Sequence, residues 1–147
     1  MIYLGIDPGK DGAMAIIRET GIQIIPFDEL DYAEAVNGLR GHRVVCCLER
    51  VGARPGQGVT SMFSFGENYG FIRGLLAANK IPHEKVMPQK WRKEFGISDK
   101  NDSISVCMSL FPSVRLFRTD RCKKQHDGMA EALLMAEYAR RHIGTGI

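Results

Sequence analysis

The N-terminal segment, residues 2–9, constrains the fold more than any other part of the sequence. It reads Ile-Tyr-Leu-Gly-Ile-Asp-Pro-Gly, a mostly apolar stretch that runs directly into one carboxylate. Such residues favour a strand at the centre of a sheet, and Pro8 and Gly9 end that strand in a turn. Asp7 is therefore either an ordinary turn residue or part of a site, because a buried carboxylate needs a cation, a metal or water beside it.

The composition is that of one globular domain. The chain has 147 residues, 44% hydrophobic and 25% charged, and a net charge of +3 that leaves a nucleic-acid partner open. No apolar run approaches the roughly 20 residues of a membrane span, and the N-terminus lacks the basic and apolar regions of a secretory signal. The four cysteines form no CxxC pair, so we expect reduced thiols in a cytoplasmic protein rather than a zinc site.

The rest of the sequence predicts an α/β fold in which three antiparallel strands come first. Short apolar stretches over 13–18 and 22–26 follow the first strand after Gly-containing turns. The further elements are, in chain order, a helix over 28–40, a strand over 44–48, a helix over 61–79, a strand over 81–87, and helices that begin at Pro88, at Ser98 or Asp99, and at Asp127. The buried face of the first helix is expected to carry Leu30, Ala33, Val36 and Leu39.

The second predicted helix carries an unusual stripe of glycines. Gly66, Gly70 and Gly74 recur every four residues on one face, although each glycine costs a helix about 1 kcal/mol relative to alanine. The stripe indicates a close backbone approach to another helix, either within the chain or across a dimer seam. Phe63 and Phe65, near the start of the same helix, either belong to a core or interface or stack on DNA bases.

The apolar strand over 44–48 ends in Glu49-Arg50, so it is the second strand that runs into a carboxylate. A strand–helix–strand connection normally places its two strands parallel in one sheet. If the two strands are neighbours, Asp7 and Glu49 lie side by side at the carboxyl edge, where open α/β sheets place their sites. Two adjacent carboxylates repel each other, so this pairing favours a divalent cation.

Two further acids lie at the start of the last helix. Asp127 and Glu131 are four residues apart and hence within about 40° of each other on one helical face. They either complement the helix dipole or join Asp7 and Glu49, and such a set would hold two Mg²⁺ or Mn²⁺ ions for phosphodiester cleavage. His126, just before the helix, is either a proton-transfer residue or an exposed histidine.

Four segments together resemble the RuvC family of Holliday-junction resolvases, and most of all its shorter members from phages and their hosts. The segments are 5–9, 48–50, Met87-Pro88 with Trp91, and 126–134. The resemblance covers essentially the whole chain and rests on the order and spacing of the segments. It implies one RNase H-like nuclease domain over 1–147, with a five-stranded mixed sheet (three antiparallel strands, then two parallel) flanked by helices.

The resemblance also implies a homodimer that resolves four-way DNA junctions by paired, Mg²⁺-dependent nicks, with two ions per site. Asp7 and Glu49 match the family's strand-borne acids. The family's usual terminal pair is two aspartates three residues apart. Glu131 matches the second position and Gly128 the first, so that Asp127 and Glu131 both remain candidate catalytic residues and metal ligands.

Basic residues lie in several segments of the chain, where they form either a solvated surface or phosphate contacts that position DNA without reading its sequence. The candidates for phosphate contacts are Lys10, Arg50, Arg54, Lys90, Arg92, Lys93, Lys123 and Lys124. Phe65 is the candidate for stacking, and the face of Gly66, Gly70 and Gly74 is the candidate dimer seam. Several such contacts would make DNA binding steeply salt-dependent.

Three other functions fit parts of the pattern. An RNase H-like nuclease of broader specificity, for RNA or branched DNA in general, would need the same acids. A nuclease-inactive junction-binding protein would need the basic residues alone. An actin-like ATP-binding fold also begins with a strand ending in Gly-x-Asp-x-Gly, but it needs a far longer chain and further phosphate loops.

Overall fold

A five-stranded mixed sheet forms the centre of the computed structural model, which describes residues 1–144 apart from the side chain of Lys100. The strands are β1 (Ile2–Asp7), β2 (Ala13–Arg18), β3 (Gly21–Pro26), β4 (Val44–Glu49) and β5 (His83–Val86). Their order in the sheet is β3-β2-β1-β4-β5. The first three strands are antiparallel, whereas β4 runs parallel to β1 and β5 parallel to β4. The predicted sheet is confirmed.

Helices cover both faces of this sheet. They are α1 (Glu29–Asn37), α2 (Val59–Ala78), α3 (Pro88–Glu94), α4 (Ser103–Leu110) and α5 (Asp127–Tyr138). A 3-10 turn (Lys100–Asp102) precedes α4, and a π-helical turn (Ala139–Ile143) follows α5. Side chains of α1 and α2 fill the core on one face, and those of α3, α4 and α5 fill the core on the other.

β1 carries the contacts that join the two faces. Leu4 and Ile6 are fully buried in the core beneath α1 and α2. Gly5 faces α5, and a Cβ atom at this position would overlap the backbone of Ala132 and Ala136. Because glycine has no side chain, the backbone of α5 lies directly on β1, and the first turn of α5 reaches the carboxyl end of that strand.

Two predictions about helix packing are wrong in part. Leu30 is 81% exposed, whereas Tyr32 and Val36 form the buried face of α1; Leu30 lies about 200° from Tyr32 around the helix. A Cβ atom on Gly66, Gly70 or Gly74 would meet no atom of the described chain within 4 Å. Since α2 packs on the sheet through Ile72 and Leu76, the glycine face contacts no other helix of the described chain, and only the dimer seam remains as a prediction.

Within residues 1–144, Cys46, Cys47, Cys107 and Cys122 are all free thiols. Among the same residues, no helix combines the length and the apolar character that crossing a membrane requires. The helix predicted to begin at Ser98 or Asp99 begins later, at Ser103, because the chain first forms the 3-10 turn.

Candidate active site

Asp7 and Glu49 meet at the carboxyl edge of the sheet because their strands are paired. Ile6 of β1 lies opposite Leu48 of β4 in the parallel register, and the two acids follow directly. Glu49 is 8% exposed and accepts a hydrogen bond of 2.8 Å from Nε1 of Trp91, which is fully buried in α3. Burial raises the pKa of Glu49, while this hydrogen bond lowers it. The indole therefore holds the Glu49 carboxylate in place.

Glu131 joins these two acids from the first turns of α5. Its side chain is 13% exposed, and its Oε1 accepts a hydrogen bond of 3.3 Å from Oγ of Ser103 at the start of α4. The pKa of Asp7 lies well above its usual value, first because the carboxyl is buried and then because Glu131 and Glu49 are close. Burial and the Glu49 charge raise the pKa of Glu131 in the same way. Three desolvated carboxylates thus repel one another at one edge.

Arg92 lies inside this group of acids, although the sequence suggested a contact to DNA phosphate. Its Nη2 is 3.8 Å from Oε1 of Glu131, and its Cζ lies 5.3 Å from the centre of the Trp91 ring. Its Nε is buried and has no hydrogen-bond partner in the described part of the chain. The guanidinium charge lowers the pKa of Asp7, Glu49 and Glu131. Arg92 is therefore the internal cation of the acid group.

The two acids at the start of α5, Asp127 and Glu131, differ in how closely they approach Asp7. Asp127 is exposed, and it is the weakest of the charges that raise the pKa of Asp7. Gly128 is buried: a Cβ atom there would lie 2.6 Å from the carbonyl oxygen of Asp11 and 3.1 Å from Oδ2 of Asp7. No larger residue fits at position 128, and Glu131 is the C-terminal acid that reaches Asp7.

His126 caps α5 rather than standing free. Its Nδ1 accepts a hydrogen bond of 3.0 Å from the backbone N–H of Met129, which is the role of a helix N-cap. Burial and the nearby charge of Arg118 lower the pKa of His126 and so keep Nδ1 available as an acceptor. Nε2 is the ring nitrogen left for any proton transfer, which stays a prediction.

The donor set at this edge fits Mg²⁺ or Mn²⁺. Among residues 1–144, no three Asp, Glu, His or Cys side chains converge closely enough to form a metal-binding group as they stand. Asp7, Glu49 and Glu131 nevertheless supply hard oxygen donors, which these ions prefer, and their mutual repulsion is what a divalent cation relieves. These three carboxylates are the residues that would hold the ion.

Two clefts open beside the acids, and Pro8, Gln57 and Phe65 form the wall between them. The first, which we name the Asp7 cleft, has a volume of about 660 Å³ and is further lined by Asp7, Lys10, Asp11, Phe27, Glu29, Glu67 and Asn68. The second, the Glu49 groove, has a volume of about 530 Å³ and is further lined by Glu49, Arg50, Arg54, Met87 and Gln89. Asp7 is thus reached from one side of this wall and Glu49 from the other.

Solved structures with the same arrangement of elements identify the fold. Thermus thermophilus RuvC in complex with a Holliday junction substrate superposes with a TM-score of 0.66 at 10% sequence identity, covering 99% of this chain and 97% of that chain. The chain has the RNase H-like fold of RuvC. A second Thermus thermophilus RuvC structure gives a TM-score of 0.59 at 16% identity and 96% coverage of both chains.

The likeness extends to a eukaryotic protein. The yeast mitochondrial Holliday junction resolvase Ydc2 superposes with a TM-score of 0.53 at 15% identity, covering 98% of this chain and 83% of that chain. No protein-family model matches the sequence, and no curated protein sequence matches it either. The similarity to RuvC is therefore one of structure, and the sequence resemblance rests on the short segments around the acids.

The RuvC fold distributes the predicted DNA-contacting residues over several surfaces. Arg50 and Arg54 line the Glu49 groove, Lys10 lines the Asp7 cleft, and Phe65 lines both. Phe63 is 71% exposed and lines neither. Lys90 pairs instead with Glu84, at 3.7 Å between Nζ and Oε1. The other three predicted contacts, Lys93, Lys123 and Lys124, are exposed and line neither cleft.

Sequence reasoning missed three residues that support the site. Trp91 lies in one of the segments that resemble the RuvC family, and a buried indole N–H needs an acceptor. The sequence does not indicate that Glu49 is that acceptor. Ser103 contacts Glu131 from 28 residues away. Asn68 accepts a hydrogen bond of 2.9 Å from the N–H of Gly9, 59 residues away, and so fixes the turn after Asp7, where Gly9 has a φ of +113°. Such contacts have no local signal.

Proposed function

We propose that the chain is a metal-dependent endonuclease that resolves four-way DNA junctions by paired nicks. The observation that carries this proposal is the meeting of Asp7, Glu49 and Glu131, from two paired strands and one helix, in a RuvC fold. A neighbour of the same fold is RuvC in complex with a Holliday junction substrate. We expect the protein to act on DNA in the cytoplasm of a bacterial cell or a phage-infected host.

Asp7, Glu49 and Glu131 would hold the metal, and the exposed Asp127 is the fourth candidate ligand. Two Mg²⁺ ions, or Mn²⁺ in their place, would supply an activated water when bound and would stabilise the leaving oxygen. Trp91 orients Glu49, and Ser103 orients Glu131. Partners of this kind are typically worth about 10–100-fold in metal affinity or activity. The charge of Arg92 lowers the pKa of all three acids and so opposes part of the rise that burial causes.

A homodimer matches a substrate with two-fold symmetry, because each copy then cuts one of two opposing strands. The exposed part of α2 supports this proposal. It carries Gly66, Gly70 and Gly74 on an open face, and Val59 and Phe63 are 85% and 71% exposed. Arg50 and Arg54 in the Glu49 groove hold the phosphates of the cleaved strand close to the acids.

The test compares a four-way junction with linear duplex, flap and RNA–DNA hybrid substrates in Mg²⁺. We expect symmetric nicks in the junction and little cleavage of linear duplex. Asp7→Asn should cut at least about 100-fold more slowly and still bind the junction, since a ligand is worth at least as much as its supporting residues. Asp31→Asn, which changes an exposed aspartate of α1, is the matched control and should cut normally.

Two outcomes would replace this function. Equal cleavage of linear duplex, or of a hybrid, would indicate the broader RNase H-like nuclease. Junction binding without any cleavage in Mg²⁺ or Mn²⁺, by the wild type as by Asp7→Asn, would indicate a nuclease-inactive junction-binding protein.

A further inference from the structure

The two clefts beside the acids differ in charge. The Asp7 cleft is lined by four carboxylates, those of Asp7, Asp11, Glu29 and Glu67, against the single ammonium of Lys10. Arg118 reaches Asp11 from outside the cleft, with 3.9 Å between Nη1 and Oδ1. The Glu49 groove instead carries two guanidinium groups, Arg50 and Arg54, against one carboxylate. Without a bound metal ion, DNA phosphate is therefore attracted to the groove and repelled by the cleft.

The walls of the Asp7 cleft suit a flat heterocycle. Phe27 and Phe65 supply aromatic surface, and Thr60, Ser61 and Ser64 supply hydroxyls along the start of α2. The Oδ1 atom of Asn68 is used by Gly9, and its Nδ2 is a buried donor without a partner in the described part of the chain. The cleft volume of about 660 Å³ lies within the range of about 300–1,000 Å³ that is typical of small-molecule sites.

We propose that the Asp7 cleft receives one unpaired nucleobase of the cleaved strand, and that it favours a base with an exocyclic amine. The proposal rests on the proposed nuclease function. The backbone phosphates run through the Glu49 groove, and the base crosses the wall formed by Pro8, Gln57 and Phe65. Enzymes that modify a DNA base read the extruded base through its Watson–Crick edge, and proteins that bind single strands stack bases on aromatic side chains.

The carboxylates of Glu29 and Glu67 supply the preference. A carboxylate accepts hydrogen bonds from the exocyclic amines of cytosine, adenine and guanine. Thymine has no such amine: its Watson–Crick edge offers one N3–H between two carbonyl oxygens, and these oxygens would be repelled by the acids of the cleft. The cleft therefore selects against thymine at one position of the cleaved strand, whereas the groove, which contacts phosphates, selects for no base.

The DNA side of the test uses junctions with one abasic nucleotide at a time, within two positions of the mapped nick. Single-turnover cleavage in Mg²⁺ and junction binding in Ca²⁺ are measured for each junction. We expect one position at which the abasic change slows cleavage about tenfold, the size expected for a lost stacking interaction. At that position thymine should be cut more slowly than adenine, cytosine or guanine. An abasic site at the same distance in an uncut strand is the control.

The protein side uses changes that keep side-chain shape. Glu29→Gln and Glu67→Gln together should reduce the discrimination against thymine to less than about twofold, because an amide also offers a donor to thymine carbonyls. Glu34→Gln is the matched control, since Glu34 is exposed on the same helix as Glu29 and does not line the cleft. 2-Aminopurine at the sensitive position should change its emission on binding, and Phe65→Leu should reduce that change.

The outcomes separate this proposal from the nuclease function. If the junction is cut but every abasic junction is cut within twofold of the intact one, the base site does not exist and the nuclease function stands. If one abasic position is sensitive but the two glutamine changes leave the discrimination against thymine unaltered, Glu29 and Glu67 do not supply the preference, and the base site assigned to the cleft is wrong while the nuclease function stands. If no junction is cut, the nuclease function fails and the base site fails with it.

Discussion

Trp91 and Arg92 are neighbours in the sequence and reach the same acids from one turn of α3. Trp91 donates its buried N–H to Glu49, and Arg92 stacks on the indole and places its charge beside Glu131. At the scale of single residues, the site is therefore three acids, one cation and one hydrogen-bond donor that acts on Glu49. Each of the two supporting residues has a separable effect.

Trp91→Phe keeps the aromatic surface and removes the hydrogen bond to Glu49. We expect the free energy of unfolding to fall by about 1–3 kcal/mol, because a buried carboxylate loses its donor. Cleavage should slow by about 10–100-fold. Urea unfolding followed by circular dichroism measures the first effect, since Trp91 is the only tryptophan. Unchanged stability and unchanged cleavage would show that the indole does not hold Glu49.

Arg92→Met should shift the pH dependence of cleavage. The guanidinium lowers the pKa of Asp7, Glu49 and Glu131, so its removal raises these pKa values and moves the acidic limb of the rate profile to higher pH. Arg92→Lys should keep most of the wild-type profile. Single-turnover rates at saturating junction between pH 5 and 9 provide the measurement. A residue that contacts phosphate alone would change the junction Kd and leave the midpoint in place.

Asp7 and Glu49 could be predicted from the sequence, because each ends an apolar strand and the connection between the strands makes them parallel neighbours. The place of Arg92 could not be predicted. Its direction depends on how α3 leaves β5, and a basic residue beside a tryptophan is equally typical of a DNA-binding surface. For the same reason the sequence could not choose between Asp127 and Glu131, which differ only in how closely each turn of α5 approaches β1.

At the scale of elements, the contact between α5 and β1 decides the geometry of the site. Gly5 permits the two backbones to touch, and Gly128 lets the first turn of α5 pass Asp11 and Asp7. The sheet order followed from the pattern of strands and helices. The buried face of α1 did not follow from the sequence pattern. This helix is only nine residues long, and it packs through Tyr32 and Val36 rather than Leu30.

Gly128→Ala should displace the first turn of α5 from the acids. The added Cβ atom would lie 2.6 Å from the carbonyl oxygen of Asp11, which is backbone and cannot rotate away. We expect a loss of about 1–3 kcal/mol in the free energy of unfolding, the usual cost of overpacking, and slower cleavage because Glu131 moves. A stable, fully active Gly128→Ala protein would show that α5 can shift without moving Glu131.

Gly70→Ala tests the open face of α2. Within the described chain the new methyl group meets nothing within 4 Å, so the helix should gain up to about 1 kcal/mol in a monomer. If the glycine face is the dimer seam, the same methyl group should weaken the dimer. Sedimentation over a range of protein concentrations, together with thermal unfolding, distinguishes a more stable monomer from a weakened dimer. An unchanged dimer that melts higher would place the seam elsewhere.

At the scale of the whole molecule, the metal-free protein has two groups of acids in opposite electrostatic surroundings. The acids of the site repel one another, whereas Glu94 and Glu137 are paired with basic side chains. Asp7, Glu49 and Glu131 have raised pKa values. Glu94 and Glu137 have lowered ones, since Arg140, Arg141 and His142 donate to them near the end of α5. As the pH rises, the acids of the site therefore lower the free energy of unfolding, whereas Glu94 and Glu137 raise it. A substitution in one group is needed to measure the effect of that group alone.

Asp7→Asn should stabilise the metal-free protein above about pH 4, the usual range of an unperturbed carboxyl. The folded state of the wild type binds more protons at Asp7 than the unfolded state does, because its folded pKa is raised. Stability therefore falls as the pH rises from the unfolded pKa through the folded one, and the loss is complete above it. In EDTA at pH 8 the variant should therefore unfold at a higher urea concentration than the wild type.

Mn²⁺ should reverse that order. Bound metal relieves the repulsion among the three acids in the wild type and stabilises the folded state by mass action, whereas the variant has lost one ligand and should respond weakly. Urea unfolding at pH 5 and pH 8, with EDTA and with Mn²⁺, gives the four comparisons for each protein. Asp31→Asn should follow the wild type throughout, because it leaves the ion pairs near Glu137 and the acid group intact. If the free energy of unfolding in EDTA changed equally with pH for Asp7→Asn and for the wild type, the folded state would not disfavour the charged form of Asp7.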